Sequence, residues 1–423
     1  MKGSAGEVKT VDRDSGTLHV CLVEFLGRGG LIHYAYQFCS SLSAQGINAE
    51  LITDNNYELD SLPHDFRVTK LWNLWDPRPS DAAGEKKSLR LVRRVLRGAA
   101  YYKAWATLIR YLRQTRPDVV QFGDLRFAAD LIPLSVLRLS GIRLADVCHN
   151  IVPFDTTGSS DVLRRTTRTI NIFRKIYRCF SLIFVHSEIN RQLFIETYGS
   201  ASRIVVIPHG NESIFRPSGS DGRRKVSELL DLREGTPAVL FFGNLSKYKG
   251  IEDLILSFKQ VVSAVPNARL IIAGYPNPDV DAGELEKLVR RLELRESISI
   301  HPRYIPMDQV SAFFESARVV ALPYRMIFQS GALQVAYSFG KPVVATSVGG
   351  LKEAVEDGGT GFLVPPGDHT ALAESLIRLL SDEALANRMG ERAKLLSETK
   401  YSWDNVAGIA AGTYRSVCGA AQN

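Results

Sequence analysis

The feature that most constrains this chain is a repeated alternation of short apolar runs with helical segments. Leu18-His19-Val20-Cys21-Leu22-Val23-Glu24-Phe25 is such a run, and it ends at Gly27-Arg28-Gly29-Gly30. A helical pattern follows from Leu31 to Ala44, Gly46 stops it, and Ala49-Glu50-Leu51-Ile52-Thr53 reads as the next strand. Strand, glycine turn, helix and strand make a βαβ unit. The rhythm continues at 118–122, 144–148, 182–185 and 204–207. A second series runs through 238–243, 269–274, 297–300, 319–322 and 342–346. Apolar strands of this length separated by helices imply a parallel sheet covered on both faces. Ligands of such sheets bind beyond the carboxyl ends of the strands.

Two series in 423 residues predict two doubly wound α/β domains facing a central cleft. The expected division is a loose tail over 1–16, a first domain over 17–210 and a Ser, Gly, Arg and Pro-rich linker over 211–236. A second domain over 237–400 and a last segment over 401–423 complete it. No 20–50-residue period repeats, so a solenoid is not expected. With 45% hydrophobic and 23% charged residues the chain is globular in composition. It has no run of 18 apolar residues to span a membrane, and residues 1–16 lack the apolar core of a signal peptide. The five cysteines are odd in number, irregularly spaced and without a CxxC, which reads as reduced thiols in a cytoplasmic protein.

Net charge is +7, and its placement says more than its size. Twelve Lys and Arg between Lys70 and Arg116 face only Asp76, Asp81 and Glu85, so that stretch carries +9. From Lys86 to Gln114 apolar residues recur near helical spacing, with Tyr101, Tyr102 and Trp105 mid-run. One or two basic amphipathic helices of this kind suit an anionic membrane surface or a solvated face on a core-packed helix. No nucleic-acid fold signature accompanies them, so nucleic acid is not an expected partner.

Three glycine-containing turns carry the candidate chemistry. Gly27-Arg28-Gly29-Gly30 precedes a helix, where backbone N–H groups favour an anion, but Ile32 and His33 break the GxGxxG fingerprint of a nicotinamide site. Gly243-Asn244-Leu245-Ser246-Lys247-Tyr248-Lys249-Gly250 follows a strand, and a lysine at that edge suits a phosphate oxygen. Gln329-Ser330-Gly331 opens an apolar helix that Ser330 can cap, aiming free N–H groups at the cleft. Asp279-Val280-Asp281 reads as a solvated turn, because a metal site needs several converging ligands. The histidines lack an HExxH context and the serines a GxSxG elbow, so zinc and serine hydrolysis are not expected.

These residues carry a resemblance. Leu240 to Leu245, Lys249 to Ile255, Leu270 to Gly274, Gly340 to Thr346 with Gly349, Gly350 and Glu353, and Thr360 to Asp368 follow the donor-binding half of retaining glycosyltransferases of family 4 in order and spacing. That family has the GT-B fold. Gly29, Gly30 and His33, the run Val205 to Gly210, and Ser402-Trp403 resemble its first loop, its hinge and its last helix, which crosses back to the first domain. The resemblance implies transfer of a sugar from a nucleotide diphosphate to an acceptor hydroxyl with retention and without a metal or other cofactor. It places Lys249 on the donor diphosphate and His149 on the transferred sugar, both catalytic. Gly29, Gly30, Asn244, Gln329, Ser330, Gly331 and Glu353 join Lys249 as expected donor-binding residues.

Two departures mark a variant branch. Asn244 stands where the family has a second diphosphate-binding arginine, for which Arg303 or Arg325 could substitute. Ile327 and Val335 stand where the family has paired glutamates. A nucleotide-sugar or glycan-binding protein without turnover is therefore the alternative. For an enzyme, the basic first half suggests a polyprenyl-diphosphate-linked glycan as acceptor, in cell-surface polysaccharide assembly at the inner face of the membrane.

Overall fold

The computed structural model describes residues 17–74, 87–123, 125, 127–151, 167–200, 202–215, 230, 232–233 and 235–419. The expected tail over 1–16 and most of the expected linker lie outside the described residues, as do the side chains of Arg90 and Arg94.

Among the described residues, thirteen strands form two wholly parallel sheets. The first holds β1 (His19–Val23), β2 (Asn48–Asp54), β3 (Arg67–Trp72), β4 (Val119–Phe122), β5 (Arg143–Val147), β6 (Leu182–Val185) and β7 (Arg203–Val206) in the order 3-2-1-4-5-6-7. The second holds β8 (Ala238–Phe242), β9 (Arg269–Ala273), β10 (Ile298–His301), β11 (Val319–Leu322), β12 (Val343–Thr346) and β13 (Gly361–Val364) in the order 10-9-8-11-12-13. In each sheet the order reverses beside the first strand, which is where a doubly wound fold opens a crevice. This is the expected pair of Rossmann-like domains. Two edge strands, β3 and β13, lie outside the apolar runs read from the sequence. β3 carries Arg67, Thr69 and Lys70 on exposed or half-buried positions, and β13 is a four-residue strand that begins on a glycine. Edge strands need less apolar surface than central ones, so their pattern is weak.

The helices of the first half are α1 (Gly30–Ala44), α2 (Lys87–Thr115), α3 (Leu131–Leu139), α4 (Thr167–Tyr177) and α5 (Glu188–Tyr198). The basic stretch forms one continuous helix, α2, whose Ala104, Trp105, Leu108 and Leu112 are buried against the first sheet. In the second half stand α6 (Ile251–Ala264), α7 (Ala282–Arg291), α8 (Met307–Ser316), α9 (Gly331–Ser338), α10 (Leu351–Ala354), α11 (His369–Ser381) and α12 (Glu383–Glu398). The last helix, α13 (Trp403–Gly419), leaves that half and packs on α1. Ala407, Ala410 and Ala411 let it approach closely, beside Phe38 and Leu42. Trp403 fills the space over Gly210, where a Cβ would come within 2.4 Å of its ring, and its Nε1 donates to the Asn211 carbonyl at 2.8 Å. The helix thereby pins the crossover between the halves.

Candidate active site

The carboxyl edge of the second sheet is shaped by two glycines. Gly243 has φ +119°, and a Cβ on Gly274 would lie 1.9 Å from the Gly243 carbonyl oxygen. Neither turn tolerates a side chain, and the segment after β8 runs beside the one after β9, where the Leu245 N–H donates to the Tyr275 carbonyl at 2.8 Å. A single 3₁₀ turn, Lys247–Lys249, then folds Lys249 back over the edge. Its Nζ comes within 3.0 Å of a Cβ placed on Gly243 and 5.6 Å from the centroid of the Tyr324 ring. No carboxylate pairs with it among the described residues. Burial pushes its pKa down to about 8. A cation held where it is poorly solvated and unpaired is costly, and an incoming anion relieves that cost.

Tyr324 links this lysine to the third glycine turn. Its hydroxyl stands 3.5 Å from Ser330 Oγ, and Ser330 caps α9 by accepting from the Leu333 N–H at 3.3 Å. The N–H groups of Gly331 and Ala332 make no hydrogen bond among the described residues. Lys249, Ser330 and Gly331 therefore surround one edge that offers a cation and free helix N–H groups. Glu212 adds a carboxylate that the sequence did not flag. Its Oε1 lies 3.8 Å from a Cβ placed on Gly331, its Oε2 accepts from Gln37 Nε2 at 3.2 Å, and burial raises its pKa to about 7 against the pull of His33 and Gln37.

The other expected donor-binding residues are disposed differently. Asn244 is exposed on the rim. Gln329 rests on the Gly349-Gly350 turn, its Oε1 within 2.7 Å of a Cβ placed on Gly350. Glu353 reaches across to the first half, where its carboxylate accepts from the N–H groups of Glu188 and Ile189 at 3.0 and 2.6 Å and caps α5. Both arginines that could replace the missing charge have other partners. Arg325 is held bidentate by Asp253 at 2.9 and 3.0 Å, and Arg303 bonds Gln309 and the Tyr304 carbonyl. Ile327 and Val335 are buried in the second core. Asp279 accepts from the Lys247 N–H and Asp281 caps α7, so both carboxylates of the DxD serve the backbone.

In the first half the loop at Gly29 and Gly30 already holds an anion of its own. Gly29 N–H donates to Glu58 Oε1 at 2.6 Å, His33 Nε2 stands 2.9 Å from the same oxygen, and Tyr304 of the second half donates to Oε2 at 3.1 Å. Despite burial, which pushes it up, these bonds hold the Glu58 carboxyl below the usual range. His149 lies beyond β5 in a cluster with His186, His209 and Tyr34. Its ring is 4.8 Å from that of His186, 6.0 Å from that of His209 and 4.7 Å from that of Tyr34. Burial, with His209 alongside, pushes His149 down to about 3, and burial takes His209 to about 4 and His186 well below the usual range. All three imidazoles are neutral at neutral pH. Tyr324, His186 and His209 were available to a sequence reading as residues just past strand ends. Glu58 and Glu212 gave no local signal, because only the fold brings them to the helix starts.

Two family models match in tandem. "Glycosyltransferase Family 4" matches residues 28–212, and "Glycosyl transferases group 1" matches residues 223–396. A D-inositol 3-phosphate glycosyltransferase of Streptomyces avermitilis is 33% identical over 217 residues, 50% of this chain and 46% of the relative. The alpha-D-kanosaminyltransferase of Streptomyces kanamyceticus is 29% identical over 204 residues, 48% of this chain and 52% of the relative. The chain thus spans about half the length of the curated relatives it matches. Among solved structures, sucrose-phosphate synthase from Thermosynechococcus elongatus aligns with TM-score 0.72 at 21% identity, covering 95% of this chain and 100% of that one. Anabaena Alr3699/HepE in complex with UDP-glucose aligns with TM-score 0.70 at 18% identity, over the same shares. At such identities these structures speak for the fold alone. The two models between them take in both halves of the chain, and with the paired parallel sheets they make it a member of the family 4-like glycosyltransferases of GT-B fold.

Proposed function

We propose that this protein transfers a sugar from a nucleotide diphosphate to an acceptor hydroxyl with retention of configuration and without a metal. The observation that carries the reading is Lys249, an unpaired and poorly solvated cation beside the free N–H groups at the start of α9. Negative charge builds on the diphosphate as it leaves, and donors already fixed in place stabilise that charge without having to reorganise. The diphosphate lies against Lys249 and the Ser330-Gly331 turn, and the sugar reaches His149 in the opposite half. No carboxylate nucleophile is needed where the acceptor attacks the face the diphosphate leaves.

The solved structure that holds UDP-glucose suggests the donor class to try first. Binding and turnover of UDP-, GDP- and ADP-sugars are the test. Turnover that depends on Lys249 supports the reading. Binding without hydrolysis or transfer to any acceptor favours the alternative, a nucleotide-sugar-binding protein, which the apolar Ile327 and Val335 make a specific rival.

For the acceptor we infer a polyprenyl-diphosphate-linked glycan at an anionic membrane. No helix among the described residues is long and apolar enough to cross a membrane. Exposed large apolar side chains gather instead on the first half: Val95, Leu96 and Tyr102 on α2, Phe127, and Ile132 and Leu139 on α3, the last 87% exposed. Exposed Arg97, Lys103 and Arg110 share α2 with them. Apolar residues among cations suit a lipid headgroup layer, at about 1 kcal/mol per cation. Flotation with anionic liposomes should show binding at low salt that weakens at high salt. Changing Arg90, Arg93, Arg94 and Arg97 to Gln should reduce it, and indifference of the wild type at low salt points to a water-soluble acceptor.

A further inference from the structure

The geometry points to His186 as a positioning residue that holds His149 in its Nδ1–H form, so that Nε2 offers a bare lone pair to a hydroxyl of the sugar. The inference rests on the sugar-transfer reading and adds the tautomer and the class of group recognised.

The hydrogen positions follow outward from a carbonyl. The Ile207 carbonyl oxygen only accepts, and it lies 3.2 Å from His186 Nδ1, which must therefore carry the hydrogen. Buried and neutral, His186 then has an unprotonated Nε2. That nitrogen stands 3.0 Å from His149 Nδ1, so His149 Nδ1 is the donor of this bond. A neutral imidazole with its hydrogen on Nδ1 has none on Nε2, and His149 Nε2 is buried without a hydrogen-bond partner among the described residues. His209 does not interrupt the relay, because its Nδ1 faces the Gly210 carbonyl at 2.9 Å.

The groups around His149 bear on the ligand chemistry. His149 lines a small cavity at the carboxyl ends of β1, β4 and β5, with Glu24, Tyr34 and Gln121. The Glu24 carboxyl is seated there because residue 123 is glycine, where a Cβ would fall 1.9 Å from Glu24 Oε1. The Tyr34 hydroxyl, also buried, has no hydrogen-bond partner among the described residues. The bare imidazole nitrogen accepts, so the group that meets it must donate. The hydroxyl edge of a neutral sugar does this, whereas a uronic carboxylate or a sugar phosphate brings only further acceptors.

Two measurements test the proposal, and the first needs no substrate. In ¹⁵N-histidine-labelled free protein, the two-bond ring correlations of His149 should show a protonated Nδ1 and a bare Nε2. In His186→Leu that pattern should shift toward the Nε2–H form, and His186→Gln, whose amide oxygen can accept from Nδ1–H, should restore it. A wild-type His149 protonated on Nε2, or a tautomer unmoved in folded His186→Leu, overturns the proposal whatever the enzyme does.

The second is calorimetry with the nucleotide sugar that binds in the donor panel and with its monodeoxy forms. The wild type should bind one deoxy form about tenfold more weakly, the worth of one hydrogen bond. His186→Leu should lose that discrimination and His186→Gln should regain it. Full discrimination in folded His186→Leu also overturns the proposal. A protein that binds and discriminates but transfers nothing refutes only the sugar-transfer reading.

Discussion

The two halves build the same kind of sheet and then treat charge at its carboxyl edge in opposite ways. In the second half Lys249 is left without a carboxylate, and the N–H groups of Gly331 and Ala332 are left open, among the described residues. In the first half the N-terminus of α1 is filled by Glu58, and the polar groups beyond β5 include three neutral imidazoles and a phenol. The lesson is that a shared topology decides where a crevice forms, while the choice of partner for each helix start decides what enters it. The start of α9 keeps N–H groups open among the described residues, whereas Glu58 already occupies the start of α1. Glu353 and Glu58 each bridge from one half to the other, so the division of labour is made within one interlocked molecule.

The sharpest way to break this contrast is Lys249→Met. If the cation exists for an external diphosphate, its removal should cost about 10–100-fold in nucleotide-sugar affinity, the worth of a charge-assisted contact, and more in turnover. The same change should raise the melting temperature of the free protein at pH 7. The sign follows from the depressed pKa: the unfolded chain holds this proton more tightly, so the native lysine opposes folding below pH 8, and that penalty fades as pH rises from 8 toward the ordinary lysine value. A mutant that binds normally, or one that melts earlier, assigns Lys249 a structural part.

His149→Ala probes the other side. Transfer should fall by roughly 30-fold, the effect of about 2 kcal/mol, while titration with the free nucleoside diphosphate stays near wild type. Joint loss of both in a destabilised protein gives the histidine cluster a packing role.

Acid should separate the halves further. His149 and His209 titrate at about 3 and 4 in the folded protein against an ordinary value near 6.5. The unfolded chain therefore binds more protons below pH 6.5, and folding stability should fall as pH drops from there toward 4. Each such histidine contributes about 1.4 kcal/mol per pH unit. Glu212 acts the other way between pH 4.5 and 7, since its raised pKa makes the native state the better proton binder there. Chemical denaturation at pH 7 and pH 5 should show a steeper loss for Glu212→Gln than for wild type, and a shallower one for His209→Gln. Equal slopes in all three proteins would mean that neither group sets the acid limit.

The smallest expected effect is at the bridge. Glu353→Ala leaves the first turn of α5 without this carboxylate at an exposed position, worth about 1 kcal/mol or less. Hydrogen exchange at the Glu188 and Ile189 amides should rise while nucleotide affinity barely moves. A drop in affinity as large as that of Lys249→Met would place Glu353 in the donor site.

By itself the sequence determined the two-sheet architecture, because each central strand is an unbroken apolar run that must be covered on both faces. It also determined the turns at Gly243 and at Ser330-Gly331, because glycine and a capping serine are read from their immediate neighbours. The edge strands β3 and β13 were less legible, since half-exposed residues leave little apolar period to read. What only the tertiary structure decided is which charges meet. Glu58 reaches Gly29 across 29 residues, Glu353 reaches Ile189 across 164, and Arg325 is claimed by Asp253 from 72 residues away. Lys249 became conspicuous for the same reason, because a lone cation is defined by every carboxylate that does not arrive beside it. Electrostatic partners depend on distances between remote segments and on the water those segments exclude, and neither is written in local sequence.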